Sequence, residues 1–276
     1  MTKKEALRLL GVVAGGAFLP AAGVSHILWH RGRRGLSTAT LAAGIGADAV
    51  LLSASLIPNL PLTGRMFFRG DAASDSIALT FDDGPRPPFT SQVLDVLKRE
   101  EVKATFFVLG ENAIRFPELV ARTAAEGHRV ANHGLDHDIL MWAGAGAMRM
   151  QLRLADQALR EAGVEEPAPL FRPPHGWLSP VAHRAAIASG YRVVGWTKGV
   201  WDTASPGVEQ IVSRTAEALK PGGILLLHDG WRGPREADRS QTVAALPSII
   251  GEARARGLKF VTVEELIDEA EGGRPA

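Results

Sequence analysis

The chain of 276 residues contains no cysteine and only one tyrosine. Without cysteine the protein has no disulfide bond, and no thiolate can bind a metal ion. Any metal site must therefore use nitrogen and oxygen ligands from histidine and carboxylate side chains. The absence of thiols does not fix the compartment, because such a chain is indifferent to oxidising surroundings.

The larger part of the chain, residues 71–276, also lacks an excess of basic residues. The formal net charge is +1, but residues 1–70 hold eight Lys and Arg against two Asp and Glu, whereas residues 71–276 hold 23 against 28. The larger part is acidic and has no electrostatic footprint for nucleic acid, so no nucleic-acid partner is predicted. With 46% hydrophobic and 22% charged residues, the chain can bury a full core, and we expect one large domain with a small appendage.

Two apolar segments dominate the N-terminal region, residues 1–62. Leu9–Trp29 has 21 residues without a formal charge, and Leu36–Leu62 carries a single charge at Asp48. A basic loop, residues 30–35, separates them. Segments of this length around a basic loop predict a helical hairpin that anchors the chain in the cytoplasmic membrane, with its loop in the cytoplasm and the remaining chain on the extracytoplasmic side.

Two alternatives compete with this hairpin. In the first, Leu9–Leu19 is the apolar run of a signal peptide that is cleaved near residues 21–23. In the second, Leu36–Leu62 is an ordinary buried helix, because Asp48 is costly in lipid. The hairpin remains the preferred interpretation, with membrane contact through residues 9–62.

The remaining chain divides into a polar linker, residues 63–75, and a domain, residues 76–276. Strand and helix patterns alternate about seven times in this domain, which predicts a parallel sheet covered by helices, an α/β fold of barrel type. In such a fold the ends of the strands share one face, where active sites are built. The predicted strands cover residues 76–81, 103–109, 128–131, 170–171, 191–196, 223–227 and 259–262; the predicted helices cover 91–101, 117–126, 148–162, 179–189, 208–219, 242–256 and 263–271.

The first predicted strand ends in two adjacent carboxylates. In Ile77–Pro85 an apolar run stops at Asp82 and Asp83, and Gly-Pro then turns the chain. Adjacent acids repel each other, so folding gains nothing from them unless a positive group or ion binds there. The pair therefore indicates a functional site.

A pair of histidines supplies matching ligands. His133 and His137 are four residues apart, a spacing that directs both imidazoles the same way on a helical turn. Together with a carboxylate at a strand end they give three protein ligands and leave a position open, as in catalytic rather than structural metal sites. The set predicts one divalent ion, for which Zn²⁺ is the first choice and Co²⁺, Fe²⁺, Mn²⁺ and Ni²⁺ also fit.

Three more side chains complete an acid–base set. One of the two adjacent acids can act as general base while the other binds metal. His228 fits the role of general acid, Asp202 can hold and polarise its imidazole, and Arg172 can fix the base by a bidentate contact. This set predicts hydrolysis of an amide or ester. Three other histidines have no partner at a useful spacing and are interpreted as surface or core residues: His128, His175 and His183.

The combined motifs resemble those of the polysaccharide deacetylases, the NodB-homology group or carbohydrate esterase family 4. The resemblance covers about residues 74–265 and rests on four motifs, Thr80–Pro85, Asn132–His137, Phe171–Gly176 and Leu226–Asp229. It implies a distorted (β/α) barrel and metal-dependent removal of N-acetyl groups from N-acetylglucosamine-type glycans.

Matched position by position, the resemblance implies a role for each residue. Asp82 is the base, Asp83, His133 and His137 bind the metal, and Arg172 orients the base. His228 is the acid with Asp202 as its partner, and the substrate pocket contains Leu226, Trp201 and Pro173. Two positions depart from the family pattern. Gly134 replaces the usual Ser or Thr, and Trp201 precedes Asp202 where the usual order is Asp-Trp.

The leading hypothesis is a membrane-tethered, metal-dependent N-deacetylase of peptidoglycan, a chitin-like glycan or an exported polysaccharide. The first alternative is a hydrolase of another amide or of an O-acetyl ester on the same fold. The second is a non-catalytic glycan-binding protein of the cell envelope. No protein partner is predicted.

Overall fold

The computed structural model describes residues 66–232 and 237–272, which belong to one compact unit, Pro58–Ala276. The predicted hairpin and its two alternatives lie outside these residues and stay predictions. Within the described ranges, no helix is both long enough and apolar enough to cross a bilayer.

The central strand is β1, Ser76–Asp82, whose seven residues are all buried. It pairs with three neighbours, β2 and β8 along the two halves of one edge and β7 along the other. All the pairs are parallel, in the order β5-β4-β3-β2-β1-β7-β6. The other strands are β2 (Thr105–Val108), β3 (Arg129–Asn132), β4 (Ala168–Phe171), β5 (Arg192–Val193), β6 (Lys198–Gly199), β7 (Ile224–His228) and β8 (Lys259–Val261).

The helices connect these parallel strands and cover the sheet. Helix α1, Phe89–Arg99, shows why they form, since Val93, Leu94 and Leu97 recur at helical spacing and are fully buried. Burial of one such aliphatic side chain contributes about 1.5–3 kcal/mol. The other helices are α2 (Gly110–Arg115), α3 (Pro117–Ala125), α4 (Ala145–Glu161), α5 (Pro180–Ala188), α6 (Val208–Thr215), α7 (Ser240–Ala255) and α8 (Val263–Ala270).

The predicted α/β class is confirmed, but the sheet is a curled half-barrel rather than a closed one. Its two ends, β5 and β6, are two residues long and are not paired with each other in the described sheet. Strand β5 is shorter than the predicted strand 191–196, and α2 was not predicted. The parallel order still brings the carboxyl ends of the strands to one face.

Part of the predicted linker is packed against the domain. The backbone N–H of Phe67 donates to the carbonyl of Val193 at 2.9 Å, and Gly195 donates to the carbonyl of Phe67 at 2.9 Å. Gly70 donates to Gly222 at 2.7 Å, and Met66 is buried. Phe67 therefore pairs with the chain just after β5 and Gly70 with the chain just before β7, although the composition of residues 66–70 is typical of a connector.

Candidate active site

The two adjacent aspartates separate at the end of β1. Asp82 is the last residue of the strand and is 3% exposed. Asp83 follows with φ of +70°, a left-handed conformation that Asp tolerates better than most residues do. The change of direction turns the two carboxylates toward different partners, although they are neighbours in sequence.

Arg172 holds Asp82 in place. Its Nη1 donates to Oδ1 of Asp82 at 2.7 Å and to Oγ1 of Thr80 at 2.8 Å, and its Nη2 donates to the carbonyl of Gly195 at 2.8 Å. The guanidinium is fully buried and lies 4.0 Å from the ring centroid of Phe107. A buried cation with these partners fixes the position of the Asp82 carboxylate. The contact with Asp82 uses one nitrogen, so the predicted bidentate geometry is wrong.

The two histidines of the predicted metal site lie on an irregular loop after β3. The predicted helical turn is wrong, because Gly134 and His137 have φ of +84° and +60° and turn the chain to the left. The backbone N–H of Gly134 donates to Oδ1 of Asn132 at 2.8 Å. Glycine adopts this conformation at little cost, whereas a Ser or Thr at position 134 would be strained.

Three ligand atoms converge where this loop meets Asp83. Nε2 of His133 lies 3.3 Å and Nε2 of His137 lies 3.1 Å from Oδ1 of Asp83. All three atoms lie within 4.8 Å of one another, yet Oδ1 of Asp83 is buried and makes no hydrogen bond. A buried oxygen without a hydrogen bond, facing two imidazole nitrogens, is an arrangement that could hold a divalent cation.

The tautomer of His133 also fits a metal ligand. Its Nδ1 lies 2.8 Å from the carbonyl oxygen of Arg172, so Nδ1 carries the proton and the Nε2 lone pair faces Asp83. Burial is the largest single influence and raises the pKa of Asp83, but the positive field of His137, the contacts with the His133 and His137 imidazoles and the field of His228 together outweigh it and hold this pKa well below its usual range. The Asp83 carboxylate is therefore ionised at neutral pH.

His228 ends β7 beside Asp82, since the β1–β7 register pairs these two residues. Its Nδ1 lies 2.8 Å from Oδ1 of Asp202, and its backbone N–H donates to Oδ2 of Asp202 at 2.8 Å. The hydroxyl of Thr242 also donates to Oδ2 at 2.9 Å. Burial alone lowers the pKa of His228, but the charge of Asp202 and its hydrogen bond raise it to about 9. This imidazole is therefore protonated at neutral pH.

The three predicted pocket residues differ in exposure. Leu226 and Pro173 are buried, whereas the side chain of Trp201 is 73% exposed. Trp201 also has φ of +56°, and the chain turns there so that Asp202 reaches His228. Their roles in substrate binding stay predictions.

Two residues near the site belong to the sequence motifs but were given no catalytic or binding role. His175, interpreted as a surface or core residue, places its ring 4.5 Å from that of His137 in an edge-on contact. Asp229 is 1% exposed, and burial raises its pKa to about 7. Its Oδ2 accepts a hydrogen bond from the Thr90 hydroxyl at 2.6 Å. The sequence signal for Asp229 was its position directly after His228, but the sequence alone does not reveal that its side chain is buried.

Comparison with known proteins agrees with this architecture. Residues 69–194 match the polysaccharide deacetylase family. A peptidoglycan-N-acetylglucosamine deacetylase of Bacillus cereus is 42% identical over 194 residues, which are 69% of this chain and 87% of that protein. A chitooligosaccharide deacetylase of Sinorhizobium fredii is 40% identical over 195 residues, which are 68% of this chain and 90% of that protein.

A solved structure shows the same fold. The crystal structure of the Bc1960 peptidoglycan N-acetylglucosamine deacetylase superposes with a TM-score of 0.68 at 32% identity, covering 72% of this chain and 91% of that one. The chain therefore belongs to the polysaccharide deacetylase family, and the predicted resemblance is confirmed. It is a hydrolase that acts on carbon–nitrogen bonds.

Proposed function

We propose that the protein is a metal-dependent hydrolase that removes N-acetyl groups from glycans containing N-acetylglucosamine. The observation that carries the proposal is the convergence of Asp83, His133 and His137 within 4.8 Å. Nε2 of His133 in this set lies 3.8 Å from Oδ2 of Asp82, and the β1–β7 register places the protonated imidazole of His228 next to Asp82. The nitrogen and oxygen atoms of the set suit Zn²⁺, and Co²⁺, Fe²⁺, Mn²⁺ or Ni²⁺ can replace it.

Asp82 acts as the general base in this proposal. When bound, a divalent cation polarises the acetyl carbonyl and lowers the pKa of water. Arg172 occupies Oδ1 of Asp82 at 2.7 Å, which leaves Oδ2 to accept the proton of the attacking water. The buried guanidinium prevents the carboxylate from rotating away, so the acceptor stays fixed relative to the metal ligands.

His228 acts as the general acid. Because its Nδ1 faces Asp202, its Nε2 is free to donate a proton, and a pKa of about 9 keeps that proton in place at neutral pH. Water adds to the carbonyl carbon, and the C–N bond breaks as His228 protonates the leaving nitrogen. The products are acetate and a free amino group on the sugar.

A cleft at the carboxyl end of the sheet offers a further surface for a substrate, although none of the proposed metal ligands or acid–base residues lines it. Its volume is about 570 Å³, and it lies between loops that follow β1, β2 and β7. Aromatic rings and a cation form part of its wall, since the guanidinium of Arg86 lies 4.5 Å from the ring centroid of Trp231 and 5.5 Å from that of Phe116.

The proposal places the catalytic domain outside the cytoplasmic membrane. It is motivated by the two apolar segments, Leu9–Trp29 and Leu36–Leu62, around a basic loop. Such a protein should fractionate with membranes and be digested by protease added outside spheroplasts. Recovery of the full chain in the cytosolic fraction contradicts this placement.

Acetate release tests the proposed reaction. Residues 63–276 should release acetate from chito-oligosaccharides or peptidoglycan, and a chelator should abolish the release. Asp83→Ala and His133→Ala should lose both bound metal and activity. Asp138→Ala is the matched control, because this exposed carboxylate lies one residue beyond His137 and pairs with Arg232 instead.

Three results would contradict the proposal. Deacetylation by Asp83→Ala at the wild-type rate excludes the mechanism. Cleavage of a small cyclic amide or an O-acetyl ester, with no release from any glycan, favours a different substrate class. Glycan binding without acetate release favours a non-catalytic envelope protein.

A further inference from the structure

A single buried amide joins the two loops that carry the proposed chemistry. Asn112 lies in α2 and is 3% exposed. Its Nδ2 donates to the carbonyl oxygen of Asp83 at 2.8 Å and to the carbonyl oxygen of Trp231 at 3.2 Å. The first carbonyl belongs to a proposed metal ligand, and the second belongs to the loop that follows His228.

The backbone at Asp83 depends on partners outside its own strand. Its left-handed conformation ends the β1 ladder, and the next carbonyl, that of Gly84, accepts a hydrogen bond from the backbone N–H of Leu109 at 3.1 Å. Without Asn112 the carbonyl of Asp83 would lose its side-chain donor in a buried environment, at a cost of about 1–3 kcal/mol. If the backbone moved to give this carbonyl another donor, the Cα atom that carries the Asp83 carboxylate would move with it.

Close packing leaves the two loops little room to move independently. A Cβ atom at Gly84 would lie 2.2 Å from Oδ2 of Asp229, and one at Gly230 would lie 2.3 Å from the carbonyl oxygen of Asp83. The two loops are thus in direct backbone contact. Asn112 ties them together from the side of β2, with both of its N–H groups used.

We propose that Asn112 is a positioning residue for the metal site. It holds the peptide of Asp83 in the orientation that directs the carboxylate toward His133 and His137, and it fixes this turn relative to the loop after His228. It contacts neither metal nor substrate. The inference rests on the proposed metal site and assigns to it a residue that none of the sequence motifs contains.

The test compares metal affinity with stability. Asn112→Asp keeps the shape of the side chain but removes both N–H donors, and Asn112→Ala removes the side chain. Thr105→Val is the matched control, because it removes another buried hydrogen bond, from the backbone N–H of Val263 at 3.0 Å, at the opposite end of β2. Zn²⁺ and Co²⁺ dissociation constants, the visible spectrum of bound Co²⁺ and the Tm of the metal-free protein are measured for all four proteins.

Both Asn112 variants should bind metal about 10–100-fold more weakly, as expected when a partner of a ligand is lost. The Co²⁺ spectrum should change as well. Thr105→Val should lower the Tm and leave both metal readouts at the wild-type values. If the Asn112 variants lose stability like the control but keep the wild-type affinity and spectrum, the residue is merely structural and the inference is wrong.

Two further results separate this inference from the proposed function. A wild-type protein that binds neither ion overturns the proposed metal site itself. If Asn112→Asp and Asn112→Ala do not fold, Asn112→Ser restores one donor and should have an intermediate affinity. Wild-type affinity in Asn112→Ser, with its shorter side chain, would also overturn the positioning role.

Discussion

The two sides of the candidate site differ in how completely their polar groups are paired. On the acid side, Asp202 has both oxygens occupied, by the ring and backbone of His228 and by the hydroxyl of Thr242. On the metal side, Oδ1 of Asp83 is buried without a hydrogen bond, although two imidazole nitrogens lie within 3.3 Å. The Asp202–His228 pair is therefore satisfied by protein groups alone, whereas the proposed cation would satisfy the Asp83 oxygen.

Metal binding should stabilise the protein through one side alone, and this is the largest effect on stability that we expect. A ligand that binds only the folded state contributes about 2.7 kcal/mol when its concentration is 100 times Kd. Thermal unfolding with and without Zn²⁺ should show this increase in the wild type and in Asp202→Asn. Asp83→Ala should show none, because it lacks the central oxygen.

The opposite result would break the comparison. If Zn²⁺ stabilised Asp83→Ala as much as the wild type, the ion would bind elsewhere. If Asp202→Asn lost the effect, the two sides would be coupled more strongly than their separate hydrogen-bond networks indicate. Asp138→Ala, with its exposed carboxylate, controls for the loss of a negative charge near the site.

The sequence predicted the acid side and the base better than the path of the metal-binding loop. Asp82 and His228 end apolar strands of clear pattern, and parallel neighbours place such ends side by side. The loop from His133 to His137 could not be predicted, because its course depends on two left-handed residues. Histidine enters that conformation only when the surrounding structure holds it there.

The positions of Asn112 and Asp229 in the folded chain could not be predicted either, because they depend on contacts between distant residues. The short helix α2 has too few residues for a periodic pattern, so the role of Asn112 was invisible. The burial of Asp229 depends on Gly84 and Thr90, which are distant in sequence. Local patterns indicate that a strand or a helix is present, but contacts between loops depend on the whole fold.

Asp202→Asn should shift the pH dependence of the reaction. The general acid must be protonated, so kcat is constant below the pKa of His228 and falls as the pH rises through it. In the wild type this pKa is about 9, with Asp202 the leading cause that raises it and Asp83 a smaller one. A bound cation offsets the charge of Asp83, so the alkaline limb lies at or below pH 9.

Removing the charge of Asp202 moves the alkaline limb toward 6.5, the ordinary value for histidine. The maximal rate should also fall, by about 10²–10⁴-fold, if general acid catalysis is compromised. Rates of acetate release between pH 5 and 10 at saturating metal measure both effects. An alkaline limb at the same pH in both proteins would show that His228 is not the acid. The Zn²⁺ affinity of Asp202→Asn should equal that of the wild type.

The smallest effect is expected at the exposed rim, at Trp201. A tryptophan that is 73% exposed and has φ of +56° gains little from burial, and a left-handed residue costs about 1–2 kcal/mol. Strain of this kind persists at functional sites. We therefore expect the ring to stack on a sugar of the bound glycan.

Trp201→Gly separates binding from stability, because glycine adopts the left-handed conformation without strain. The Tm should stay the same or rise, while KM for a chito-hexaose should increase about tenfold and kcat should change little, since Trp201 lies outside the proposed metal and acid–base set. Trp201→Phe keeps an aromatic face and should restore most of the affinity. If Trp201→Gly has the same KM for the hexaose as the wild type, the exposed ring does not bind sugar. In that case Asp202 would be the last residue of this segment with a role in the site, and Trp201 would only turn the chain toward it.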